Sequence, residues 1–507
     1  MKPKLLVWID SQFSTFGIAK SLQEMFACEL YSIIEITDKP KKFFKEQQIV
    51  KFKKTWFYYD FILKTKRKPD LNYLKGIEEK YDIPLWLIAA NDRIFNHFNR
   101  FYKFSSNEIL SILEDEIKLY EMILDEARPD FIIMPTTHQQ HNHIFYKICK
   151  ARNIKILMMI PTRTSIATDS LSKQANMWQL TDEMDKFLPL PKITKQNKHK
   201  KNIQKEKIEI ADLDYSVKKF SATFQTSGSK FFKAFLKFLF TKDDNIQTHY
   251  TYFGRSKSKV IFKTAADRLR KKYRENFIEK NLSRTVESDY PFVYFPLHQE
   301  QERITLIGAP FYINQIEVVQ KIAQSLPVGY KLYVKDHTVM KVRGWRSISE
   351  MKKIMSFYNV KLLHPLANSD EIIKKCDLVI SIKGSSAIEA AFHNKPSIIF
   401  ENVGMYKLSS IHRLQSIVEL PQAIRNSLKK KVNRNELKKY LDVVNEHSFK
   451  FPYSEIVVDF EDQFKIGGYY ANVEMKPQKV MKFLEKYKLE FTQLAMIYIE
   501  KIKQLSN

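Results

Sequence analysis

The sequence predicts an α/β protein with two doubly wound parallel-sheet units, a helical, basic segment between them and a helical C-terminal tail. Two observations predict it. Short apolar runs closed by turn residues alternate with stretches of helical period in 5–160 and again in 292–400, at a spacing of roughly 30 residues, which is the punctuation of βαβ units. Within the second stretch, residues 377–400 read DLVISIKGSSAIEAAFHNKPSIIF. This is an apolar strand to Ile382, a turn at Gly384, a helical pattern and, after Pro396, a second apolar strand.

Composition agrees. A chain of 507 residues allows two or three domains. With 44% hydrophobic and 13% aromatic residues but only 11 glycines and 18 prolines, disordered and fibrous classes are excluded. Cys28, Cys149 and Cys376 are too far apart for a metal motif or disulfide framework. Each sits in or beside an apolar run, as small core residues of a reducing compartment do. No window nears the ~20 apolar residues of a membrane span. The expectation is a soluble or peripheral protein on the cytoplasmic side. The net charge is +27, and residues 191–280 hold 23 Lys or Arg against 9 Asp or Glu. Such a concentration fits an acidic partner or a solvated basic face. No nucleic-acid-binding module is present, so nucleic acid is not the expected partner.

In chain order, a buried strand at 5–9 ends at Asp10, and Gly17 precedes a helix-like stretch at 18–26. Residues 41–105 are aromatic and basic with poor periodicity, expected as helices and loops inserted in the first unit. An amphipathic helix over 107–127 stops at Arg128-Pro129-Asp130. The strand FIIMP (131–135), the polar turn TTHQQHNH (136–143), a helix over 144–152 and a strand over 154–160 complete a first domain, 1–180. Residues 181–285 form the basic connector, with a loop at 195–202. Within it, SKFFKAFLKFLF (229–240) places Lys230, Lys233 and Lys237 on one side of a helix and Phe and Leu on the other. That suits either the interface of an anionic membrane or packing on the domain with the lysines outward. The second domain, 286–420, has strands at 292–297, 331–335 and 360–363 ahead of the 377–400 fragment. Residues 421–507 are expected as a helical tail whose last helix, 480–505, packs back across the first domain.

Open parallel sheets bind ligands at the carboxyl ends of their strands. That rule selects Asp10; His138, His141 and His143; Arg163; His298, Glu302 and Arg303; Lys335 and His337; His364; and Gly384, Ser385 and Ser386. At the last of these, a glycine relaxes the backbone, serines cap a helix and N–H groups favour an anion, so phosphate fits. Glu389 lies one turn further on the same face, placed for a ribose or for solvent. Lys335 and His337 offer groups to a phosphate or base, and the Arg303 fork suits a phosphate or sugar carboxylate or an ion pair with Glu302. The histidine turn has no acidic or cysteine partner nearby, so a metal is not expected there. His138 and His141 are candidates to face a sugar or acceptor. Asp10 is either a general base or the cap of the following turn.

The segments ARPDFIIMPTTHQQH (127–141), ILMMIPTR (156–163), YFPLHQEQER (294–303), KLYVKDH (331–337) and GSSAIEAAFHNKP (384–396) together resemble bacterial capsule-polysaccharide biosynthesis proteins with the GT-B glycosyltransferase fold, of the Kdo- and sialyltransferase-like kind. The resemblance covers both α/β domains, about two thirds of the chain. It implies two Rossmann-like domains facing across a cleft, a nucleotide sugar as substrate with no separate cofactor, and a glycan or lipid-linked glycan acceptor on the N-terminal side. Related transferases acting on CMP-activated acidic sugars hold the nucleotide with a His-Pro pair and a Ser-Ser or Ser-Thr pair. Ser385-Ser386 match the second, and His337 stands in the place of the first, with Thr338 where proline would be. The acidic pair followed by glycine that supplies their base has no counterpart in the first domain. The donor implied is CMP- or UDP-linked. A sugar-nucleotide epimerase of the same shape and a polyanion-binding protein are the alternatives.

Overall fold

The computed structural model describes every residue except 1, 11–12, 63–66, 98, 163–176, 182–227, 242–248, 288, 301, 344–345, 402–406 and 507. Arg163 and the 195–202 stretch therefore lie outside the described residues.

The first sheet contains β1 (Lys4–Ile9), β2 (Glu29–Ile34), β3 (Lys54–Phe57), β4 (Phe131–Ile133), β5 (Lys155–Pro161) and β6 (Met177–Thr181). The second contains β7 (Phe292–Pro296), β8 (Lys331–Lys335), β9 (Val360–Leu363), β10 (Leu378–Ser381), β11 (Ser397–Ile399) and β12 (Ile411–Arg413). A last short strand, β13 (Phe449–Lys450), returns to the first sheet. The spatial orders are β3-β2-β1-β4-β5-β6-β13 and β9-β8-β7-β10-β11-β12. All pairs are parallel except those of β6 with β5 and with β13. In each unit the first strand sits at the centre, the next two run to one side and the later strands to the other. This is the Rossmann order, and its direction reverses between β1 and β4 and between β7 and β10. The α/β class expected from the sequence is the one observed.

Burial on both faces explains why the strands read as unbroken apolar runs. In β1, Leu6 and Trp8 enter one core layer while Leu5, Val7 and Ile9 enter the other. The first layer is completed by helices Leu71–Tyr81, Ser106–Ala127 and Gln140–Ala151. The second is completed largely by the chain's end, helices Tyr453–Phe464, Pro477–Lys486 and Lys488–Ser506. The 480–505 stretch is thus two helices, parted at Tyr487, whose hydroxyl donates to Asp459 at 2.9 Å. Gly17 lies inside helix Ser14–Met25, where a Cβ would meet the Phe491 ring at 2.5 Å, so its smallness seats the last helix. Helices Leu420–Ser427 and Arg434–Glu446 pack on the second sheet. The stretch 421–507 therefore serves both units, and the chain recrosses at β13.

Helix Gly228–Phe240 does not pack all its phenylalanines and leucines on the protein. Ala234 is its buried residue, while Phe232, Leu236 and Phe240 point outward beside Lys233 and Lys237. Its aromatic and leucine residues cover most of the circumference, so periodicity alone does not choose the inward side.

Candidate active site between the two units

Each unit gathers functional side chains near its strand reversal. In the second unit, His298 follows β7 and the Lys383–Gly384 turn follows β10. The His298 ring is held there by the backbone: Lys383 N donates to its Nε2 at 3.2 Å, which puts the ring proton on Nδ1. Gln315, buried on the helix behind, bonds both backbone groups of His298 at 2.7 and 3.1 Å. Ser381 Oγ accepts from Gly384 N at 2.9 Å and sits 3.4 Å from His298 Nε2. Gly384 does not adopt positive φ. It is glycine because a Cβ would stand 2.6 Å from Ser381 Oγ and 2.9 Å from His298 Cε1. Close approach, not backbone relaxation, is the reason. Ser385 precedes helix Ser386–Phe392 with helical dihedrals and no side-chain cap, so the expected serine capping is not formed. Ser386 Oγ is buried and has no hydrogen-bond partner among the described residues. Glu389 is half-buried on the same short helix.

The end of β8 is tied to the same place. Lys335 is buried, with Nζ 3.4 Å from Thr338 Oγ1. The His337 Nδ1 accepts from Val339 N at 3.3 Å, so the ring carries its proton on Nε2. Arg346, 1% exposed, bridges Asp336 Oδ2 at 3.0 Å and Glu300 Oε1 at 2.9 Å and so links the segments after β8 and β7. Burial raises the Glu300 carboxyl, with Arg346 opposing. His364 Nε2 stands 3.4 Å from Glu279 Oε1 at the end of β9.

In the first unit, the histidine turn is partly helical. Helix Gln140–Ala151 begins four residues earlier than the 144 expected. Two side chains explain this: Asp92 Oδ2 accepts Gln140 N at 2.9 Å, and Asn142 Oδ1 accepts His138 N at 3.0 Å and Gln139 N at 3.2 Å. His141 and His143 then diverge. His141 points inward, stacked on Trp8 with ring centroids 5.9 Å apart, and its Nε2 is 3.1 Å from Glu35 Oε1. Burial works against its charge, and Glu35 more than reverses this, so its pKa stands above the ordinary value. Glu35 is held low in turn: burial raises it, and His141 outweighs burial. His143 is driven down to about 3 by burial and then by Arg303 of the other unit. His138 is lowered to about 4, chiefly by burial. Its Nδ1 lies 3.2 Å from the Thr136 carbonyl and 3.3 Å from the Asn142 Nδ2 donor, two contacts that ask opposite tautomers of the ring.

A cleft of about 110 Å³ opens between the units. Asp92, His138, Gln139, Gln140, His143 and Lys147 line it from the first, and Leu306, Ile307 and Pro310 from the second. Asn91 Nδ2 donates across it to Pro310 O at 3.3 Å. Asp10 is buried at the end of β1, where burial and then its carboxylate raise the Tyr453 hydroxyl. Among the described residues no group of three or more metal-ligating side chains converges.

Three acids escape sequence reasoning. Glu35 follows β2, a strand missed because Ser32 breaks its apolar run; the pattern SII followed by an acid is the signal that could have found it. Glu116 sits on the apolar face of helix Ser106–Ala127, in step with Ile112, Leu113 and Tyr120, and that misplaced charge is legible. Asp92 gives no sequence signal. Glu116 Oε1 accepts from Tyr58, from Gln140 Nε2 at 2.7 Å and from Tyr250 at 3.3 Å, and burial raises its pKa to about 7. A carboxyl raised in the fold stabilises it most when protonated, and this advantage is lost as pH rises from about 4.5 through about 7. Glu116→Gln is therefore expected to gain melting temperature relative to wild type between pH 5 and pH 8. An equal offset at both values would refute the shifted carboxyl.

The fold and cleft define a class: two Rossmann-like units with a cleft between them. No family model and no curated protein matches the chain. Similar solved structures include UDP-GlcNAc 2-epimerase from Methanocaldococcus jannaschii (11% identity, 88% of this chain and 98% of that one, TM-score 0.24). UDP-GlcNAc 2-epimerase from Neisseria meningitidis bound to UDP-GlcNAc is another (10%, 87% and 94%, 0.25). The β-Kdo 2,7 transferase KpsC of Thermosulfurimonas dismutans is a third (10%, 72% and 91%, 0.30). At such TM-scores they add nothing to the fold, which rests on strand order.

Proposed function

We propose that this chain is a metal-independent glycosyltransferase that moves a sugar from a CMP- or UDP-linked donor to a growing surface glycan of capsule or lipopolysaccharide type at the inner face of the membrane. The observation that supports the reading is the cleft between the units, lined by His138, Gln139 and Gln140 after β4 and by Leu306, Ile307 and Pro310 in the segment that follows β7. In this reading the donor occupies the second unit. Ser385 and Ser386 with the N–H groups that open their helix, together with Lys335, His337 and Arg303, receive the phosphates, and Glu389 the ribose. His298 packs behind the turn and sets its shape. The acceptor hydroxyl enters from the first unit. Its oxygen attacks the anomeric carbon, the bond to the phosphate oxygen breaks, the nucleotide leaves as its anion, and the hydroxyl proton passes to a base. His138 suits that role better than Asp10 because it lines the cleft and Asp10 does not. The charged His141–Glu35 pair stands behind it as a positioning element.

A thermal-shift screen with CMP, UDP, GDP and their sugars tests the class. One nucleotide should raise the melting temperature, and Ser386→Ala or Glu389→Ala should abolish that rise. No response to any nucleotide overturns the reading. A second reading, sugar-nucleotide epimerisation, has one observation in its favour: Asp92, Glu116, Glu35 and His141 form a compact acid–base set beside the cleft. Conversion of UDP-N-acetylglucosamine alone to its 2-epimer would decide for it.

A further inference from the structure

Two connector helices, Gly228–Phe240 and Lys257–Asn281, lie side by side and antiparallel. Arg268 stands 4.1 Å over the Phe231 ring, and Lys257 Nζ donates to the Leu239 carbonyl at 2.6 Å. Each helix turns an apolar stripe to solvent. On the first, Phe232, Leu236 and Phe240 recur every fourth residue and are 59%, 38% and 85% exposed. On the second, Phe262, Leu269 and Tyr273 recur at seven and four residues and are 76%, 72% and 72% exposed. The core does not need them: the buried residues of the two helices are Ala234 and Ile278. Lys233 and Lys237 flank the first stripe, and Lys259, Arg270 and Lys272 flank the second, all exposed. The three acids of the second helix are paired, Asp267 with Arg100 at 2.9 Å, Glu275 with Lys271 of the same helix at 3.9 Å and Glu279 with Arg284 at 2.8 Å.

We propose that this helix pair is a docking surface for an anionic lipid bilayer. The phenylalanine, leucine and tyrosine side chains enter the headgroup–acyl boundary, and the flanking lysines and arginines meet lipid phosphates. Charge complementarity selects an acidic partner, and the two apolar stripes select a bilayer over a nucleic acid, whose backbone offers them nothing. Among the described residues no helix is long and apolar enough to cross a membrane, so the contact is interfacial. It does not depend on the reaction performed in the cleft.

The test is flotation of the full chain with vesicles of phosphatidylcholine alone and with about 30% phosphatidylglycerol added. The chain is expected to float with the anionic vesicles only. The triple variant Phe232→Ser, Leu236→Ser, Phe240→Ser, and separately Phe262→Ser, Leu269→Ser, Tyr273→Ser, should each lower partition by about tenfold or more. Lys233→Gln with Lys237→Gln should weaken it and flatten its salt dependence. All these side chains are exposed, so unchanged circular dichroism is expected, and two separate helices guard against one misfolded variant. Absence of vesicle binding overturns the proposal. So does flotation of both serine variants at the wild-type level, or release of the chain from vesicles by duplex DNA. A wild-type dimer that the serine variants convert to monomer, with no lipid binding, would assign the stripes to a second copy of the chain.

Discussion

His138→Ala is expected to lower kcat by about 10²- to 10⁴-fold with little change in KM for the donor, the range for loss of a positioned general base. His138 lines the cleft wall, with its Nδ1 between the Thr136 carbonyl at 3.2 Å and Asn142 Nδ2 at 3.3 Å. Its low pKa of about 4, set mainly by burial, keeps the ring neutral across the neutral range. The rate should therefore not fall with His138 protonation until pH nears 4. The fold should survive, because the chain direction at this turn is fixed by Asn142 and Asp92 rather than by the imidazole. Steady-state kinetics with varied donor and acceptor would check it. A kcat within a few-fold of wild type would remove His138 as base and return attention to Asp10.

Arg346→Met is expected to cost about 3–5 kcal/mol, the largest stability effect of any single change considered, since it strands the buried Asp336 carboxylate and leaves the half-buried Glu300 unpaired. Asp336 and Glu300 are its partners at 3.0 and 2.9 Å, and Asp336 also accepts the His337 N–H at 2.9 Å. Loss of the guanidinium thus releases the segment after β8 as well as the one after β7. Urea denaturation should show the loss, and adding Asp336→Asn and Glu300→Gln should recover part of it, because the uncompensated charge is then gone. A variant as stable as wild type would mean that water already compensates the pair.

Much of this architecture is legible in the chain. Strands buried on both faces have to be apolar throughout, so β1, β4, β5, β7, β8 and β10 are visible as runs, and the strand-end rule points at His298, Lys335 and Gly384 without a structure. Strands with a broken apolar run or a distant antiparallel partner are not visible: Ser32 interrupts β2, which hides Glu35, and β6 and β13 pair antiparallel from distant segments. The helix start at Gln140 is missed because its donors are satisfied by Asp92, 48 residues away in sequence. The role of Gly384 is misread for a similar reason. A glycine in a turn looks conformational, and only the nearness of the His298 ring shows that space is what matters.

By itself the sequence determined that two α/β units form and which residues sit at their strand ends, because apolar period and turn chemistry are local properties that each segment carries alone. The tertiary structure decided which of those residues meet. It turned His141 to Glu35 and His138 to the cleft, closed Arg346 between Asp336 and Glu300, and chose the outward face of helix Gly228–Phe240. The energy of a buried charge or polar group depends on its partner, and partners here are brought together by strand order and crossovers rather than by neighbouring positions in the chain.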